Sequence, residues 1–112
     1  MRLIMCSCPK EVADTIANAV VESRLAALVN AVSGVKTTSL RKEAPCVQEE
    51  TVLFIQTPIE HLEPLFELLA SLHPSKAPAI IALPITSGNY EYLKWAEETL
   101  VSQTRTNNSS EI

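Results

Sequence analysis

The stretch RLAALVNAVSGVKTTSLRKEAPCVQEETVLFIQT, residues 24–57, decides the fold class because it holds two strand signals with no helix between them. The first is the apolar run at 24–32, which Gly34 interrupts, and the second is the segment 46–57, rich in branched and aromatic residues toward its end. The polar residues 37–45 between them are typical of the far end of a hairpin. A direct strand-to-strand connection favours an antiparallel pair and weakens the alternative of a small parallel α/β fold.

A strand and a helix precede this hairpin. Residues 2–7 are short and apolar, as expected of a strand, and Pro9 then presets the first turn of a helix. The helix is indicated by apolar residues at helical spacing, namely Val12, Ala13, Ile16, Ala17 and Val20.

A second helix follows the hairpin. Thr57 and Glu60 form a capping-box pattern, with Pro58 at the first helical position. Pro64 lies inside the helical pattern, where it either kinks the helix or delays its start, and the sequence leaves both options open. The apolar face consists of Leu62, Leu65, Phe66, Leu69 and Leu72.

The remaining segments complete the order of elements. Residues 79–84 predict a fourth strand, and a last helix begins near Asn89. Residues 103–112 are polar and without periodicity, which predicts a flexible tail after a single domain at 1–102. The order β-α-β-β-α-β plus a C-terminal helix predicts an α+β fold, the ferredoxin-like split βαβ sandwich.

Composition narrows the class of protein. A chain of 112 residues with 46% hydrophobic and 20% charged residues predicts one folded domain and not a disordered chain. The net charge of −4 and the scattered basic residues predict no nucleic-acid partner and no membrane partner. Three cysteines, and an apolar run at the start too short for a signal peptide or a membrane span, predict free thiols and a cytoplasmic location.

The strands also predict an assembly. Two helices cover only one face of a four-stranded sheet, yet the segments 25–32, 52–55 and 79–83 are apolar on both faces. A sheet face in contact with water alternates polar and apolar residues instead. The uncovered face therefore predicts an oligomer built from further copies of this chain.

Four motifs in this order resemble the CutA family of divalent-cation tolerance proteins: Arg24–Asn30, His73–Ala79, Leu83–Pro84 and Gly88–Trp95. The family's H-P-Y-E-x-P-E motif appears here as HPSKAPA, without the tyrosine and both glutamates. The resemblance implies a ferredoxin-like subunit that assembles as a tight homotrimer. It also implies a role in tolerance to copper and other divalent metals, with metal-ion binding and no well-defined enzymatic reaction.

Cys6 and His73 are the candidate metal ligands. Some relatives carry a metal-binding cysteine near the end of the first strand, and His73 matches the family's H-P motif. A thiolate and an imidazole suit copper or another soft divalent cation, and two ligands make an open site. The alternatives stay open: Cys6 as a packed core residue, and His73 as a cap at the end of the second helix.

The sequence therefore supports two functions. The first is a trimeric metal-binding protein in divalent metal tolerance. The second is a trimeric scaffold, analogous to the PII signalling proteins, that binds a small ligand or a protein between subunits. No Ser–His–Asp set, glycine-rich phosphate loop or HExxH motif is present, so the chain is predicted not to be an enzyme.

Overall fold

The structure is a computed structural model, and it describes residues 1–101. Its elements follow in the order β1 (Arg2–Cys8), α1 (Lys10–Glu22), β2 (Val29–Arg41), β3 (Ala44–Thr57), a 3₁₀ turn (Ile59–His61), α2 (Leu62–Leu72), β4 (Ile80–Pro84) and α3 (Tyr90–Val101). The predicted tail at 103–112 lies outside the described residues.

The four strands form one antiparallel sheet in the order β2-β3-β1-β4. β2 and β3 pair directly through their hairpin, as the sequence predicted. The order of strands and helices confirms the α+β, ferredoxin-like split βαβ fold. Beyond the body of the sheet, the paired residues 35–50 continue as a hairpin arm, which ends in a tight turn at Lys42 and Glu43.

The hydrophobic core lies between one face of the sheet and helices α1 and α2. Every second residue of β1 faces it, because successive side chains of a strand point to opposite faces. The fully buried residues of this core include Ile4, Cys6, Cys8, Ile16, Val20, Leu53, Ile55, Leu65 and Leu69. The helices are therefore held to the sheet by aliphatic packing.

The second strand begins later than the sequence predicted, because of the way in which α1 ends. Arg24 adopts φ 62°, and its N–H donates to the Val21 carbonyl, while Leu25 N–H donates to the Val20 carbonyl. This is the Schellman arrangement that ends a helix with a left-handed residue. The apolar residues after it form a loop, so β2 begins at Val29 and not at 24.

Two further expectations about α2 are resolved by the structure. The predicted capping box at Thr57 is wrong. Thr57 Oγ1 donates instead to the Leu25 carbonyl at 2.7 Å, and its side chain caps no helix. Pro64 lies in the first turn of α2, where a backbone N–H has no helical partner. The proline is therefore accommodated at the start of α2, after a 3₁₀ turn, without kinking its interior.

Thr57→Val is expected to lower the free energy of unfolding by ~1–3 kcal/mol. The substitution keeps the shape of the fully buried Thr57 side chain but leaves the partly buried Leu25 carbonyl without its donor. Urea unfolding followed by circular dichroism measures the change. Thr38→Val in the exposed hairpin arm is the matched control and should change stability by less than ~0.5 kcal/mol.

The second face of the sheet, turned away from α1 and α2, carries Leu3, Met5, Val32, Val52, Phe54, Gln56, Ile81 and Leu83. Helix α3 contacts this face, since Tyr92 Oη donates to Gln56 Oε1 at 2.7 Å. The start of α3 is capped by Asn89, whose Oδ1 accepts the Tyr92 N–H. Helix α3 thus covers part of the face that the sequence left uncovered, while Val32, Ile81 and Leu83 stay exposed.

Candidate metal site

Cys6 lies on β1, which pairs with β3 on one side and β4 on the other, and its side chain points into the core between the sheet and the helices. It pairs with Leu53 of β3 and with Ile80, the first residue of β4, and it is fully buried. Burial raises the pKa of the Cys6 thiol from 9.0 to about 11, and the neighbouring Cys8 thiol adds to the rise. At neutral pH the sulfur is therefore a protonated, inert thiol in the absence of a competing cation.

Alkylation of Cys6 by iodoacetamide at pH 8 is expected to be at least ~100-fold slower in the folded chain than in the guanidine-unfolded chain. Two pKa units reduce the thiolate fraction by about this factor, and burial blocks the reagent further. Mass spectrometry of labelled peptides measures the alkylation rate of Cys6, and equal rates in the folded and unfolded chain would contradict the burial.

The raised pKa of Cys6 also predicts that folding stability falls as the pH rises above 9, because the unfolded state then loses a proton that the folded state keeps.

His73 follows directly on α2, and both of its ring nitrogens have partners. Nε2 lies 2.7 Å from the Ser7 carbonyl oxygen, and Nδ1 accepts the backbone N–H of Ser75 at 3.0 Å. Because Nδ1 accepts a hydrogen bond, the proton of the neutral ring is on Nε2, which donates to Ser7. The backbone N–H of His73 also donates to the Leu69 carbonyl, so the residue ends α2.

The imidazole of His73 lies against β1, the strand that carries Cys6. The Ser7 carbonyl that binds the imidazole belongs to the residue next to Cys6, and α2 packs on the same face to which Cys6 points. A thiol and an imidazole are donors that copper accepts. Within residues 1–101, however, no group of three or more His, Cys, Asp or Glu side chains is arranged to hold a metal ion.

The sequence did not identify the partners of His73. Ser75 stands two residues after it, the spacing at which a side-chain acceptor captures a backbone N–H in an Asx-type turn. The contact with Ser75 could therefore have been predicted from the sequence. The contact with Ser7 joins residues 66 positions apart, so only the folded structure reveals it.

A second feature of interest lies on the hairpin arm. The ladder between β2 and β3 shifts between Val32 and Val35, where Gly34 adopts φ 70°. An open cavity of about 350 Å³ beside this bulge is lined by Gly34, Lys36, Val47, Gln48 and Glu49. In the described part of the chain, no helix is both long and apolar enough to cross a membrane.

Comparison with known families identifies the chain. The sequence profile described as "CutA1 divalent ion tolerance protein" matches residues 2–99. The chain belongs to this CutA1 family. Among curated CutA1 relatives, "Divalent-cation tolerance protein CutA" of Thermus thermophilus is 46% identical over 90 residues, covering 80% of this chain and 86% of the relative. The human "Protein CutA" is 37% identical over 99 residues, covering 86% of this chain but 54% of the relative, so the chain spans about half of that protein.

Solved CutA1 structures agree with the fold. The Thermus thermophilus divalent cation tolerance protein superimposes with a TM-score of 0.83 at 40% identity, covering 88% of this chain and 97% of that one. The "PII-like protein CutA" from Nostoc superimposes with a TM-score of 0.80 at 23% identity, covering 86% of this chain and 93% of that one, and at this identity it shows the fold alone. CutA1 proteins are named for tolerance to divalent cations and not for a reaction.

Proposed function

We propose that this chain is a cytoplasmic homotrimer that contributes to divalent-cation tolerance by binding copper reversibly through Cys6 and His73. The observation that carries this proposal is the 2.7 Å hydrogen bond from His73 to the Ser7 carbonyl, which holds the imidazole beside the strand segment of Cys6. The chain acts as a binding protein, consistent with a family named for tolerance.

Binding at this site is linked to protons. The Cys6 thiol, with its pKa of about 11, must give its proton to solvent before the sulfur coordinates a cation. Affinity therefore rises with pH up to that value, by about tenfold per pH unit. Two ligands, one of them buried, support reversible binding and not a metal required for folding.

The trimer is supported by the second face of the sheet. Val32, Ile81 and Leu83 are 45%, 54% and 41% exposed there, and aliphatic side chains on one face gain stability when a partner covers them. The number three comes from the family resemblance. Burial of roughly 1,000 Å² or more for each contact would suffice for a permanent assembly.

Calorimetric titration of the protein with Cu⁺ under reductant tests the proposed binding. At pH 7 we expect the release of about one proton for each bound ion, measured as a dependence of the heat on the ionisation enthalpy of the buffer. Mg²⁺, which prefers oxygen ligands, is the control and should give no heat of binding. Absence of copper binding, or binding without proton release, would contradict the use of Cys6.

A second candidate function is a PII-like scaffold that binds a small polar ligand. The cavity of about 350 Å³ at the bulge of the hairpin arm favours it, because Lys36 and Glu49 line it with opposite charges. A trimer that binds no copper, but retains a small molecule of defined mass in native mass spectrometry, would favour this function over the first.

A further inference from the structure

A cavity lies at the base of the hairpin arm, where the ladder between β2 and β3 is interrupted. Just before Val35, β2 has two residues where β3 has only one, which is the arrangement of a β-bulge. Gly34, one of these two residues, adopts φ 70°, a conformation that glycine reaches without strain. The volume of about 350 Å³ is near the lower end of the range for small-molecule sites, so the cavity suits a small ligand. It is lined by Gly34, Lys36, Val47, Gln48 and Glu49.

Two opposite charges line this cavity without neutralising each other. Lys36 and Glu49 are directly opposed in the ladder, so their side chains lie on the same face of the arm. Opposite charges in such a pair attract each other, yet within residues 1–101 these two side chains form no ion pair. The Glu49 carboxylate lies against the bulge instead, with its Oε2 at 3.7 Å from the position that a Cβ on Gly34 would occupy. An ammonium and a carboxylate therefore border the same small space.

These charges select the class of ligand. An anion that approaches Lys36 is repelled by Glu49, and a cation that approaches Glu49 is repelled by Lys36. A molecule that carries both an ammonium and a carboxylate meets an opposite charge at each end. Val47, which is 58% exposed, offers an apolar contact to the rest of the ligand. A zwitterion with an aliphatic side chain therefore complements the lining of the cavity.

We propose that the cavity binds a free aliphatic α-amino acid, with its ammonium on Glu49 and its carboxylate on Lys36, an inference that rests on the second candidate function and names the class of its ligand. Neither Cys6 nor His73 lines the cavity, so this site is separate from the proposed copper ligands. Both charged side chains are exposed to water, which weakens each charged contact, so the Kd is in the millimolar range.

Leucine is the probe, and two of its analogues test the pair of charges. Isocaproate is leucine without the ammonium, and isoamylamine is leucine without the carboxylate. Titration with millimolar leucine should shift the amide NMR signals of Gly34 and Gln48 saturably. The amide of Tyr92, which lies on α3 and donates to Asn89, is the internal control and should not shift. Each analogue should bind at least ~10-fold more weakly than leucine, because it loses one charged contact and keeps one repulsion.

Two substitutions should remove this selectivity, one charge at a time. Glu49→Gln removes both the partner of the ammonium and the repulsion of anions. It should weaken leucine binding at least ~10-fold and make it equal to the binding of isocaproate. Lys36→Gln should likewise make the binding of leucine equal to that of isoamylamine. Lys42→Gln is the matched control, because it removes a cation at the tip of the arm outside the cavity, and it should bind leucine as the wild type does.

Absence of saturable shifts with leucine, or equal affinity of the wild type for leucine and its analogues, would overturn the amino-acid site. Retention of a different small molecule in native mass spectrometry would then leave the scaffold function intact. If no small molecule is retained, the scaffold function fails together with the amino-acid site. Copper binding by Cys6 is tested separately by calorimetry.

Discussion

Ile81→Asp is expected to dissociate the proposed trimer into monomers at micromolar concentration. Ile81 is 54% exposed in the single chain and lies on the second face of the sheet, where the proposed contact buries it. Burial of an isoleucine contributes ~1.5–3 kcal/mol, and an unpaired carboxylate in an apolar contact costs several kcal/mol more. The dissociation constant should therefore rise at least ~100-fold.

Light scattering coupled to size exclusion measures this change, and Ile59→Asp is its matched control. Ile59 is 49% exposed, close to the value for Ile81, but it lies in the 3₁₀ turn before α2 and away from the second face. Circular dichroism checks that both variants fold. If Ile81→Asp keeps the assembly, or if Ile59→Asp disrupts it equally, the second face is not the contact between copies.

Cys6→Ser is expected to weaken copper binding at least ~100-fold. Removal of a residue that hydrogen-bonds to a metal ligand lowers the metal affinity about 10- to 100-fold. Removal of a soft thiolate ligand itself should lower the affinity more. His73→Ala should weaken binding to a similar degree, because it removes the second proposed ligand. Serine is smaller and more polar than cysteine at this buried position, so stability is measured alongside affinity.

Cys46→Ser is the matched control for the thiol. Cys46 is a free, half-buried cysteine on the hairpin arm, paired with Ser39 and remote from His73 in the fold. It should leave the affinity for Cu⁺ unchanged. If Cys6→Ser binds copper as tightly as the wild type, Cys6 is a packing residue and the scaffold function becomes the better account.

The fold class was predictable because it depends on short-range patterns. The direct connection between two strand signals and the helical spacing around Ile16 are both local, and β2 and β3 pair as expected. The boundaries were less predictable. The apolar residues after Arg24 have the pattern of a strand. However, the N–H groups of Arg24 and Leu25 donate to carbonyls of α1, so the chain at this point forms the end of the helix. Gly34 marks a bulge within β2 and not its end, since glycine permits the positive φ found there.

The candidate site was less predictable than the fold. The family resemblance indicated Cys6 and His73, but burial and hydrogen-bond partners depend on contacts between distant segments. Nothing local to His73 reveals that its Nε2 donates to Ser7, and nothing local to Tyr92 reveals its bond to Gln56. That second bond places α3 on a sheet face that the order of elements alone leaves uncovered.

Native mass spectrometry of the protein after incubation with Cu⁺ tests the central claim most directly, because it reports assembly and binding together. We expect one dominant species of about 37 kDa, three times the 12.3 kDa chain, with three copper ions bound. The same species prepared from Cys6→Ser should be a trimer without copper. A 12.3 kDa monomer, or a wild-type trimer that carries no copper, would contradict the account.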